Sequence, residues 1–104
     1  MTTSNQQEIY RAKVNLETAQ IAWKELLRFF ASGAAIHVSD DLDLVEVAFQ
    51  MSRDNAAQIQ QWMVEGKLGN VTDEQAAAWF ETDALVWAVV VSPWVLVQLS
   101  ASLH

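Results

Sequence analysis

Leu85-Val86-Trp87-Ala88-Val89-Val90-Val91-Ser92-Pro93-Trp94-Val95-Leu96-Val97-Gln98-Leu99 is the stretch that decides the fold. Its β-branched and aromatic residues suit a pleated, packed surface. The valines run on without polar alternation, which predicts strands covered on both faces, at the centre of a sheet. Pro93 lacks a backbone N–H and marks an edge, a bulge or a connection, so the stretch reads as two strands, Leu85 to Val91 and Trp94 to Leu99. The same run is too short and too interrupted for a membrane helix, which needs about 20 apolar residues.

Moving toward the N-terminus, Thr72-Asp73-Glu74-Gln75 is a capping box with acids in the first helical turn, where the helix dipole favours them. Ala76, Trp79 and Phe80 form the stripe of that short helix. Lys67 to Val71, with Gly69 and Asn70, reads as a loop. Before it, Ser52 or Asp54 can cap a helix whose stripe is Ala56, Ile59 and Met63, with Trp62 beside them, and which stops at Gly66. Asp43 to Met51 alternates, with Val45, Val47 and Phe49 against Leu44, Glu46, Ala48 and Gln50. With the alternating residues 34–38 and the turn Ser39-Asp40-Asp41, this predicts an antiparallel β-hairpin.

The first third of the chain carries a stripe at helical spacing: Ile9, Ala12, Leu16, Ala19, Trp23, Leu26 and Phe30. Asn5 with Glu8 can cap its start, and Gly33 can end it. It reads as one helix, or as two with a break near Asn15 to Thr18, where helix propensity dips. The expected fold is α+β. It is a small single domain over residues 1–104 with a frayed tail at 1–5. The elements are an N-terminal helix or broken helix, a β-hairpin, two short helices, and two C-terminal Val-rich strands in one mainly antiparallel sheet. The helices are expected to cover one face of that sheet.

Several fragments stand together as a familiar set: Leu16-Glu17-Thr18-Ala19, Trp23-Lys24-Glu25-Leu26, Asp43-Leu44-Val45-Glu46-Val47-Ala48, Gln61-Trp62-Met63, Asp73-Glu74-Gln75-Ala76, and above all Pro93-Trp94-Val95-Leu96-Val97-Gln98. Over about residues 14 to 98 the chain resembles a family of small bacterial proteins, domain of unknown function 2288. The resemblance implies a small bacterial, cytoplasmic protein and carries no activity or functional residue with it.

Composition excludes whole classes of chemistry. The chain has no Cys, which removes disulfides, zinc-thiolate sites and thiol nucleophiles. Its three glycines, Gly33, Gly66 and Gly69, make no phosphate-binding loop. No Gly-x-Ser-x-Gly or Ser-x-x-Lys motif occurs. Met1 to Gln7 is polar, with no apolar core of a signal peptide after it. The net charge is −7 and unevenly spread. Residues 1–33 hold four bases against three acids, and residues 34–104 hold two bases against ten acids. An acidic surface repels nucleic-acid phosphates and anionic membranes, so neither is expected as a partner.

Three groups of residues are candidates for function. His37, Asp41 and Asp43 crowd the expected hairpin turn, and an imidazole with carboxylates can hold a cation or work on a ligand. The turn fails the calcium-loop template, however, and Asp is common in turns for its own hydrogen bonds. Parity along the strand places His37 toward solvent. Trp94, next to Pro93 at a strand boundary, is the aromatic expected to be partly exposed and to anchor an interface, whereas Trp23, Trp62, Trp79 and Trp87 read as core. Ile9 and Leu16, on the N-terminal stripe, are the other interface candidates, because part of that helix can pair with a second copy.

The apolar fraction of 52% makes the same point, since a short chain with a Val-rich sheet struggles to hide both faces. The favoured reading is a non-enzymatic, homodimeric interaction module in the cytoplasm, with no cofactor and no metal. Two alternatives remain. One is a small ligand- or metal-binding protein or enzyme using the 37–43 carboxylates. The other is an acidic regulator of a basic partner protein.

Overall fold

The Val-rich stretch forms the centre of a five-stranded mixed sheet in the computed structural model, which describes residues 18–99. β1 (Ala19–Ala22), β2 (Ala35–Val38), β3 (Leu68–Asn70), β4 (Leu85–Val91) and β5 (Trp94–Leu99) lie in the order β1-β4-β5-β2-β3. β4 and β5 pair antiparallel around the Ser92-Pro93 turn, from Val91↔Trp94 to Val86↔Leu99. β1–β4 and β2–β3 are antiparallel as well, and β2–β5 alone is parallel. The fold is α+β with a mainly antiparallel sheet, as the sequence leads one to expect.

Helices cover both faces of this sheet rather than one. On the first face a 3-10 helix (Trp23–Leu26), α1 (Leu27–Ala31) and α4 (Asp73–Glu81) pack Trp23, Leu26, Ala76 and Trp79 on Ala35, Val86, Val95 and Val97. On the second face α2 (Leu44–Ser52) packs Leu44, Val47 and Ala48 on Val38, Val89 and Leu96, and α3 (Ala56–Val64) lies beside it. Alternate side chains of one strand feed opposite cores: Val95 and Val97 go to one and Leu96 to the other. This is why the valines run without polar alternation.

Three secondary-structure assignments are corrected as well. The expected second hairpin strand, Asp43 to Met51, is the helix α2. Asp43 Oδ1 accepts from Val45 N at 2.9 Å and Glu46 N at 3.4 Å, which caps the helix. Leu44, Val47, Ala48 and Met51 recur at helical spacing, and that period prevails over the period of two because it meets β4 and β5 face on. β2 therefore has no hairpin partner in that segment and pairs with β3 and β5.

The expected loop at 67–71 contains β3. Val38↔Leu68 and Ile36↔Asn70 set its register, and Leu68 and Val71 are buried. The expected N-terminal helix or broken helix is not helical at Ala19–Ala22. Ala19–Ala22 is a strand, because pairing with β4 (Ala19↔Ala88, Ala22↔Leu85) covers an otherwise open edge of the most apolar ladder. Among the described residues, helical geometry begins at Trp23. The expected tail at 1–5, the cap at Asn5 and the candidates Ile9 and Leu16 lie outside the described residues.

Local signals hold where they were strongest. Thr72 and Gln75 form the reciprocal capping box of α4, at 3.1 and 3.0 Å. α3 ends at Gly66 with φ +76, a conformation costly for any residue with a Cβ. Its cap is Asn55, in place of Ser52 or Asp54.

Candidate functional site

Among the described residues, α3 is the one long helix with no buried residue. Its expected core stripe is only half covered. Ile59 and Trp62 are half-buried, while Ala56 is exposed and Met63 is 55% exposed. The helix sits toward the β3 edge of the second face, beside α2, and leaves a gap over the end of the sheet.

That gap is an apolar cleft. One recess of about 490 Å³ runs along α3 to the Ser92-Pro93 turn. A second of about 280 Å³ runs beneath the helix toward Ile36 and Leu68. Met51, Ile59, Met63 and Trp94 line both, so the two recesses are neighbours. Trp94 is 38% exposed, and Val64, next to Met63, is 77% exposed. Asp54 is the one charged side chain of the lining among the described residues. Thioether and indole side chains around an open groove make a surface that adapts to apolar partners, because Met is flexible and polarizable and Trp offers a large rigid face.

Of the residues singled out in the sequence, Trp94 and Pro93 meet in this cleft. Of the four tryptophans expected in the core, Trp23 and Trp79 are buried and Trp62 and Trp87 only half-buried; Trp94 is the most exposed of the five. The cleft itself was not legible beyond Trp94. Met51 and Met63 belong to a wall formed by two helices, one of which reads as a strand in the sequence.

His37, Asp41 and Asp43 are not brought together. Asp43 caps α2 on the second face. His37 points to the first face, against Trp79 at 5.7 Å between ring centres, with Nδ1 3.4 Å from Gln75 Nε2. It is half-buried, contrary to the solvent-facing position expected from parity, because α4 covers that face. Burial pushes its pKa below the usual 6.5, against the opposing pull of the Asp40 charge. Asp41 is exposed in the turn, its N–H donating to Ser39 Oγ. Gln98 fixes that turn by donating from Nε2 to Ser39 O and Leu42 O, both at 2.8 Å. Among the described residues no three His, Asp or Glu side chains are grouped to hold a metal ion, and no helix is long and apolar enough to cross a membrane.

Comparison with known proteins adds a family and a fold. The family model described as "Protein of unknown function (DUF2288)" matches residues 9–99. The NMR solution structure of PA1075 from Pseudomonas aeruginosa is similar, with a TM-score of 0.78 and 44% sequence identity over 89% of each chain. No curated protein matches the chain.

Proposed function

The chain belongs to the DUF2288 family, whose description assigns no activity, and we propose that it is a protein-interaction module that self-associates through the cleft between α3 and the end of the sheet. The observation that carries this reading is the apolar lining of Met51, Ile59, Met63 and Trp94, shared by two neighbouring recesses, open at Met63 and Trp94 and almost free of charge. Exposed apolar ground of this kind is costly in water and marks contact surfaces. Two-fold dimers are the commonest symmetric assemblies, and a dimer buries such a patch on both copies at once. The acidic, cysteine-free composition supports a place in the bacterial cytoplasm, away from nucleic acid and membrane surfaces.

The test is an amide NMR spectrum of the full chain followed on dilution. Met51, Ile59, Met63 and Trp94 are expected to shift with concentration, while Phe80 and Glu81, on α4, stay fixed. Met63→Glu puts a charge in the cleft and is expected to abolish the concentration dependence. Spectra that do not change with concentration, from a sample whose mass is that of one chain throughout, overturn the reading.

A further inference from the structure

We infer that two copies of the chain pair through the outer edge of β3, in antiparallel register about a two-fold axis at Gly69. The inference rests on the self-association reading and names the contact that brings the two clefts together.

The ladder of β3 shows which of its groups face outward. Ser39 N donates to Lys67 O at 2.9 Å, and Val71 N donates to Ala35 O at 3.2 Å. With Val38 opposite Leu68, His37 opposite Gly69 and Ile36 opposite Asn70, the bonds to the β2 side come from Lys67, Gly69 and Val71. The backbone N–H and C=O of Leu68 and Asn70 therefore point away from β2. β3 is the last strand on that side of the sheet among the described residues. Such an edge is a template for another strand.

A second copy suits this edge better than a foreign strand. Two outward residues make a ladder too short to hold an extended peptide by main-chain bonds alone. Turned about Gly69, a second β3 sets its Asn70 opposite Leu68 and its Leu68 opposite Asn70, and each pair exchanges both N–H···O bonds. Gly69 then meets Gly69 of the second copy in the close, non-bonded position of the ladder, with Cα atoms about 4.5 Å apart. A Cβ placed on Gly69 meets nothing within 4 Å, so that side of the strand is clear for the approach.

The helix above the edge completes the contact. Ile59 and Met63 of α3 share a recess with Ile36 of β2 and Leu68 of β3, so the helix lies over this outer strand pair. A two-fold axis normal to the sheet keeps the second faces of both copies on one side. The two α3 helices then run about 10 Å apart, an ordinary distance for packed helices. Met63 and Val64, 55% and 77% exposed, end the helix that leads into β3. The edge fixes the register, and the helix pair supplies the apolar burial that a three-residue strand lacks. β1, at the opposite edge of the sheet, does not adjoin the cleft.

The chain has no cysteine, so a single one reports the contact. Gly69→Cys in the full chain, oxidised mildly, is expected to give a covalent dimer on a non-reducing gel that returns to one chain on reduction, because the Cα separation at that position suits a disulfide. Glu81→Cys, exposed on α4, is expected to give none. Gly69→Asp opposes two carboxylates across the axis and is expected to raise the dissociation constant about tenfold or more, read by light scattering on dilution. Its circular-dichroism spectrum should stay that of the unmodified chain, since the new side chain starts in open space. No bond in Gly69→Cys, an equal yield from Glu81→Cys, or an unweakened Gly69→Asp dimer overturns the edge pairing; where light scattering shows the unmodified chain to be dimeric, self-association stands. An unmodified chain that is monomeric throughout removes both.

Discussion

His37 and Trp23 show how single side chains feel this fold. His37 is held below its ordinary pKa by burial under α4. The unfolded chain then binds the imidazole proton more readily than the folded one. Stability is present above the unfolded value of 6.5 and is lost as pH falls from there through the folded value. Melting temperature is expected to drop from about pH 7.5 to about pH 5, and His37→Phe should flatten that slope. An unchanged slope in the variant would show that other groups set it. Trp23 is fully buried, edge-on to Phe30 at 5.8 Å and to Trp79 at 5.1 Å, and its Nε1 has no hydrogen-bond partner among the described residues. Trp23→Ala is expected to cost about 3–5 kcal/mol in denaturant titrations. Trp23→Phe should cost much less, because it keeps most of the ring contacts and removes an unpaired buried N–H.

At the scale of elements, α2 is the sharpest case. Asp43→Ala removes the acceptor for two N–H groups and is expected to lower stability by about 1 kcal/mol, or about 4–8 °C in a circular-dichroism melt. Asp43→Asn should retain most of that stability, since it keeps the accepting oxygen; equal losses in both would place the carboxylate's role outside capping. The same helix marks the limit of reading the sequence alone. Leu44 to Met51 satisfies a period of two and a period of 3.6, and its valines favour the strand reading. The decisive signal was Asp43 with Glu46 three positions on, an N-terminal helix mark as plain as the one recognised at Thr72 and Gln75. β4, β5, α4 and the stop at Gly66 were legible because their causes are local. β1 and β3 were not, because four and three residues become strands only through the partners they meet.

The whole molecule answers the question raised by its apolar surplus. Two helical layers hide most of it, one on each face of the sheet; Met63 and Trp94 stay open at the cleft, and Phe80, Leu85 and Val90 stay exposed outside its lining. Trp94 and Pro93 announced one side of the cleft in the sequence. The wall opposite them, Met51, Ile59 and Met63, emerged only when residues 44–52 and 56–64 came together as a helix pair. The cation candidates dissolve for a related reason: His37 and Asp43 are near in sequence, and a strand and a cap send them to opposite faces. What the fold leaves unexplained without a second copy is a cleft lined by methionine and tryptophan and open to water. The most direct test of the account is the mass of the untagged full chain by light scattering over a roughly hundredfold concentration range. The account predicts twice the 11.6 kDa of one chain at high concentration, reduced to one chain's mass by Met63→Glu. A mass of 11.6 kDa at every concentration would contradict it.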